Sequence, residues 1–114
     1  MIYWLSMFEV TVNNFKEILE CEEPVLLFFH SAWCTGCGPE MEVLVRMEKE
    51  YAGVLFAMVD ADKEVEINTL LRVYHLPALF LFHHGKVLDY RSGFQSDSAV
   101  REMLEKTDSF GGIS

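Results

Sequence analysis

Two cysteines separated by two residues give this chain its most specific chemical signal. Cys34 and Cys37 follow an apolar run at 25–29, which predicts a buried strand, and precede residues 40–50, whose apolar spacing predicts a helix. Because the free N–H groups and dipole at a helix start stabilise an anion, we expect a lowered pKa for Cys34. A thiolate attacks disulfides, and the second sulfur can close a small ring with the first. The spacing predicts thiol-disulfide exchange or metal binding.

A metal site would need ligands beyond the two thiols. The candidates are the histidines, at positions 30, 75, 83 and 84. A tetrahedral zinc site requires four ligands, usually in closely spaced pairs, and the sequence contains neither a second CxxC nor an HxxxH pattern. The sequence therefore favours redox chemistry without a metal.

Composition limits the class of protein and its partners. The chain has 114 residues, 51% of them hydrophobic, which predicts a single domain over 1–114, with a core at about 8–106 and a flexible tail at 107–114. A net charge of −9 without a basic stripe argues against nucleic acid as a partner. No run approaches the roughly 18 apolar residues of a membrane span, and the N-terminus lacks the basic residues of a secretory signal. We expect a cytoplasmic monomer that binds neither nucleic acid nor membrane.

Hydrophobic periodicity predicts an α/β chain with the element order β-α-β-α-β-α-β-β-α. Strands are predicted at about 7–10, 25–29, 54–60, 76–82 and 87–91, and the longer helices at 40–50, 63–74 and 96–106. A short helix capped by Asn13 or Asn14 comes first. In the helix at 63–74, the side chains at 65, 67, 70, 71 and 73 are expected to face inward. Parallel crossovers followed by a hairpin at 83–86 predict a central mixed sheet of about five strands with helices on both faces.

Several of these features together resemble the thioredoxin family over residues 8–106. They are Trp33 before the cysteine pair, Asp60 and Asp62 ending the middle strand, Leu76 and Pro77 before an apolar strand, and glycines at 85 and 93. The resemblance implies the thioredoxin fold and a protein-disulfide oxidoreductase whose only redox group is its own cysteine pair, with no cofactor. It also implies disulfide-containing client proteins and a thioredoxin-reductase-like electron donor as partners.

The resemblance assigns roles to individual residues. Cys34 would be the nucleophile and Cys37 the resolving cysteine. The supporting residues would be Trp33, Thr35, Gly36, Leu76, Pro77 and Gly93. Pro77 would follow a cis peptide bond, with the Leu76 backbone facing the sulfurs and pairing with an extended client segment. Trp33 would pack beside the cysteines as a flat apolar wall, and Gly93 would let a partner's backbone approach.

The sequence also departs from the family pattern inside the site. Thr35 and Gly36 stand where the family usually has Gly-Pro. Phe28 and Met58 stand where the family places a buried acid and the lysine beside it. Because both charges are missing together, neither is left unpaired. The family's acid assists deprotonation of the second cysteine, so Cys37 needs another proton acceptor.

His30 and Glu40 are the candidates for that acceptor. Each also has a simpler interpretation, His30 as a partly exposed residue at a strand end and Glu40 as a first-turn carboxylate favoured by the helix dipole. Pro39 leaves two possible helix starts. Either the helix begins near Cys34, with Pro39 bending its second turn slightly, or it begins only at Pro39. We favour the start near Cys34.

A binding function is the alternative to catalysis. The missing buried acid, the unusual Thr35-Gly36 dipeptide and an apolar N-terminus would suit a specialised or weakly catalytic module that binds one client protein. Such a module would use its sheet edge and the surface around Trp33. Reduction of insulin with dithiothreitol as electron source separates the two functions.

Overall fold

A computed structural model describes residues 7–111 of the chain. Nine elements follow one another in the predicted order. They are β1 (Phe8–Glu9), α1 (Phe15–Leu19), β2 (Val25–His30), α2 (Cys37–Glu50), β3 (Leu55–Asp60), α3 (Val65–Leu71), β4 (Ala78–His83), β5 (Lys86–Ser92) and α4 (Asp97–Gly111). The predicted start of the first strand near Met7 agrees with β1, while the rest of the apolar N-terminus lies outside the described residues.

The five strands form one mixed sheet in the order β1-β3-β2-β4-β5. β1, β3 and β2 are parallel, whereas β4 is antiparallel to both β2 and β5. The register pairs Phe29 of β2 with Ala78 of β4, so the start of β4 lies beside the end of β2. This pairing brings the residues before β4 next to the loop that follows β2. The predicted hairpin joins β4 to β5 through His84 and Gly85, which both have positive φ.

Helices cover both faces of the sheet, as the sequence predicts. One buried cluster joins the sheet to α2 and α4, and its members include Phe28, Cys37, Leu44 and Met103. The other joins the sheet to α1 and α3 and is built around Leu27, Phe29, Ile67 and Phe80. β2 is apolar along almost its whole length because side chains on both of its faces are buried. Within the described residues, none of the helices has the length and apolar character needed to cross a membrane.

The boundaries of the last two helices differ from the prediction. α3 is shorter than the predicted 63–74, because Arg72 adopts a left-handed conformation (φ 56°) that ends it. Of the side chains expected to face inward, Val65 and Leu70 are exposed and only Ile67 is fully buried, since a helix of two turns presents one narrow stripe to the sheet. α4 is longer and includes residues 107–111 of the predicted tail. The Thr107 side chain is buried and donates to the Leu104 carbonyl oxygen, so it extends the packed face of α4.

Candidate active site

The two cysteines lie between the end of β2 and the start of α2 and form a disulfide with each other. Their Cα atoms are 5.4 Å apart. Cys34 is half-buried, whereas Cys37 is 6% exposed and belongs to the core cluster beneath α2. Cys34 is therefore more accessible to solvent than Cys37. This difference suits thiol-disulfide exchange, in which an accessible thiol attacks and a shielded thiol resolves the mixed disulfide.

The helix starts at Cys37, between the two predicted starts. Gly36 is the N-cap, and the Glu40 N–H donates to the Gly36 carbonyl oxygen at 3.1 Å. The Cys37 N–H donates to the Cys34 carbonyl oxygen at 3.3 Å, so a turn links the two cysteines. Pro39 lies in the first turn, where backbone N–H groups have no partner within the helix, and its missing N–H removes no helical bond there. The expected bend in a second turn is therefore wrong, and Cys34 precedes the helix.

Pro77 lies against the segment between the two cysteines. The Leu76–Pro77 peptide bond is cis, and Pro77 is buried. A Cβ atom on Gly36 would stand 3.2 Å from Pro77 Cδ, which places the proline ring directly against this glycine. On the other side, the Gly93 N–H donates to the Pro77 carbonyl oxygen at 2.8 Å. Gly93 has φ +86°, a conformation that side chains with a Cβ atom rarely adopt. The structure thus brings Gly36, Pro77 and Gly93 together, and half-buried Leu76 directly precedes Pro77.

Trp33 does not form the expected wall beside the cysteines. Trp33 is 86% exposed and lies in a tight turn formed by residues 31–34, so little of its side chain packs against the protein. In this turn the Trp33 N–H donates to Ser31 Oγ at 3.2 Å and the Cys34 N–H donates to the Ser31 carbonyl oxygen at 3.3 Å. Thr35 is also exposed. The rim of the site therefore presents an uncovered indole next to the half-buried Cys34.

The position of the family's buried acid is apolar. Phe28 and Met58 are register partners on β2 and β3, and Phe28 is fully buried. Both contribute to the cluster that contains Cys37. His30, at the end of β2, is half-buried, with its ring 5.6 Å from that of Phe28. Its Nε2 atom is buried and lacks a hydrogen-bond partner among the described residues.

Glu40 lies in the first turn of α2, as predicted, but its side chain is fully buried. Its Oε1 accepts a hydrogen bond from the Gln95 N–H at 2.7 Å. Burial raises the pKa of Glu40 to about 7, although the Gln95 N–H lowers it, and the nearby charge of Asp97 raises it further. The sequence did contain a signal for this burial, because Glu40, Val43, Leu44 and Met47 follow the spacing of a single helical stripe.

Two of the four histidines lie far from the cysteine pair. His83 and His84 lie at the far end of β4, roughly 17 Å along the strand from Ala78 at about 3.3 Å per residue. Their rings lie 4.1 Å apart, and His83 Nε2 is 3.3 Å from the Glu22 carbonyl oxygen. Among the described side chains, those of residues 7–107, no group of three or more histidine, cysteine or acidic residues is placed to hold a metal ion.

Comparisons with known proteins agree with this geometry. The family model described as Thioredoxin matches residues 6–106. "Thioredoxin C-2" of Corynebacterium nephridii is 28% identical over 103 residues, which cover 89% of this chain and 95% of that protein. "Thioredoxin" of Mycoplasmoides gallisepticum is 28% identical over 92 residues, which cover 78% and 89%. The crystal structure of thioredoxin from Trypanosoma brucei brucei superposes with a TM-score of 0.85 at 28% identity and covers 91% of this chain and 92% of that one.

Proposed function

The chain belongs to the thioredoxin family and is a thiol-disulfide oxidoreductase, and we propose that it reduces disulfides of client proteins with Cys34 as nucleophile and Cys37 as resolving cysteine. One observation carries the assignment of roles. Cys34 is half-buried before the start of α2, while Cys37 is buried in its first turn. A client disulfide can approach the sulfur of Cys34. The sulfur of Cys37 is shielded from the client but lies within bonding reach of Cys34.

In the first step, the Cys34 thiolate attacks one sulfur of the client disulfide. A new bond joins Cys34 to the client, the client's own disulfide breaks, and its other sulfur leaves as a thiolate. The N-terminus of α2 supports the Cys34 thiolate, because peptide N–H groups at a helix start favour a nearby negative charge.

In the second step, Cys37 loses its proton and attacks Cys34. The bond between Cys34 and the client breaks, the client's second sulfur leaves, and the Cys34–Cys37 disulfide seen in this structure is formed. The client has gained two electrons and the protein has lost two. A dithiol electron donor, which we propose to be a thioredoxin-reductase-like protein, restores the reduced pair.

The client would bind across the surface formed by Trp33, the Leu76–Pro77 backbone and Gly93. An exposed indole supplies apolar area, and a backbone segment next to a cis-proline can pair with an extended peptide. Thr35 and Gly36 border the same surface. Action as a monomer in the cytoplasm is part of this proposal and stays a prediction.

Insulin reduction with dithiothreitol tests the reaction, and the two cysteine variants test the roles. We expect wild-type protein to accelerate reduction well above dithiothreitol alone and Cys34→Ser to abolish the acceleration. The Cys37→Ser variant should accumulate a covalent complex between Cys34 and its client, because the second step is blocked. No acceleration by wild-type protein would favour a binding module. A covalent client complex that forms through Cys37 in the Cys34→Ser variant, and not through Cys34 in Cys37→Ser, would overturn the assigned roles.

A further inference from the structure

Glu40 is a buried acid with one oxygen unused. Its side chain is fully buried, and Oε1 accepts the Gln95 N–H at 2.7 Å. The other oxygen, Oε2, is also buried and has no hydrogen-bond partner within the described part of the chain. A charged carboxylate oxygen without a donor is costly in the protein interior, so this oxygen favours a proton. The arrangement suits a group that accepts a proton during a reaction.

The position of Glu40 on α2 directs it toward the resolving cysteine. Cys37 and Glu40 are neighbours on the buried stripe of the helix, whose other buried members are apolar. Residues three apart on a helix have Cβ atoms roughly 5–6 Å apart. Helical side chains also lean toward the helix N-terminus, so the Glu40 side chain leans over the turn that carries Cys37.

We propose that Glu40 accepts the proton of the Cys37 thiol when Cys37 resolves the mixed disulfide, in place of the acid missing at Phe28. The inference rests on the proposed function. As the proton moves to the Glu40 carboxylate, the Cys37 sulfur bonds to Cys34 and the bond between Cys34 and the client breaks. The client sulfur leaves with the electron pair, and the proton then passes from Glu40 to that sulfur, so the step balances without a further reactant.

The charges around Glu40 fit this task. Asp97, at the start of α4, disfavours a second negative charge nearby, and it is itself paired with Arg46 of α2 at 2.8 Å. The Gln95 N–H favours the carboxylate. With its pKa raised to about 7, mainly by burial, Glu40 can both accept and release a proton near neutral pH.

Stopped-flow reaction with Ellman's disulfide separates the two steps in one experiment. The reduced protein, carrying Cys21→Ser to remove the third thiol, is mixed with one equivalent of the reagent. The first phase releases one thionitrobenzoate as Cys34 attacks, and its rate depends on reagent concentration. The second phase releases a second thionitrobenzoate as Cys37 attacks Cys34, and its rate is independent of reagent concentration. The second-phase rate is measured from pH 5 to pH 9 for wild type and for Glu40→Gln, Glu40→Asp and Glu42→Gln.

The side-chain amide in Glu40→Gln keeps the acceptor for the Gln95 N–H but cannot take a proton. We expect its second phase to be about 100-fold slower at pH 7 and to keep rising with pH, where the wild-type rate levels off above neutrality. Glu40→Asp should recover part of the rate, and Glu42→Gln, on the exposed side of the same helix, should match wild type. A Glu40→Gln profile superimposable on wild type, or no recovery in Glu40→Asp, would overturn the inference. A missing first phase in wild type would instead overturn the proposed function.

Discussion

Pro77 Cδ lies so close to Gly36 that a Cβ atom at this glycine would stand 3.2 Å from it, closer than an ordinary van der Waals contact. The contact joins the segment between the cysteines to the residue that precedes β4. Since Pro77 is buried and its ring is rigid, neither partner can move aside easily.

Replacing Gly36 by alanine should therefore destabilise the protein by about 1 kcal/mol, as overpacking does in a filled interior. Urea unfolding at pH 7 measures the effect. Gly38→Ala is the matched control, because a Cβ there would meet no atom within 4 Å and alanine favours the helix by about 0.5 kcal/mol. Equal stability of the two variants would mean that Pro77 does not constrain Gly36.

Replacing Trp33 by alanine should change client recognition but not stability. Its side chain is 86% exposed, so we expect the free energy of unfolding to change by less than about 0.5 kcal/mol. Loss of one aromatic contact should slow insulin reduction by about tenfold, while the first-phase reaction with Ellman's disulfide stays near wild type. The control is Val87→Ala, half-exposed at the opposite end of the sheet. Equal insulin rates in both variants would remove Trp33 from the client surface.

The stability of the protein should fall as pH rises through neutrality because of Glu40. Its pKa is raised from 4.5 to about 7 in the folded state, so the folded protein binds the proton more tightly than the unfolded chain. The stabilisation is complete below pH 4.5 and is lost as pH rises toward 7, by roughly 3 kcal/mol in total. Glu40→Gln should therefore be more stable than wild type above pH 7 and similar to it near pH 4. Parallel stability curves from pH 4 to pH 8 would contradict this.

Asp89 should stabilise the packing of α4 on β5. Its side chain is largely buried, which alone would raise its pKa, but hydrogen bonds from Lys106 (2.8 Å), Arg91 and the Tyr90 N–H outweigh burial and lower it. Asp89→Asn should cost about 1 kcal/mol at pH 7. The loss should vanish as pH falls below 3.8, because the stabilisation exists only while Asp89 is charged. The control is Glu50→Gln, which removes an exposed ion pair with Arg101 and should lower the free energy of unfolding less. Equal losses of stability in the two variants would contradict the role of burial at Asp89.

The sequence alone predicted the order of elements, the two-faced sheet and the family. Local signals carried that information: apolar runs for the strands, helical spacing, turn residues, and the short distance between Cys34 and Cys37. Each of these signals depends only on residues that are close together in the chain. The end of α3 was less predictable. Arg72 adopts a left-handed conformation that ends the helix, although the apolar spacing in the sequence continues past it.

Tertiary structure decided what surrounds the cysteines. The pairing of β2 with β4 places Pro77 against Gly36, and the approach of residue 95 to α2 supplies the N–H that contacts the buried Glu40. The turn at 31–34 leaves Trp33 exposed, whereas the family resemblance implied a wall packed beside the cysteines. Burial and pKa depend on atoms brought together from distant parts of the chain, whereas periodicity along one element reports only which side of that element faces inward.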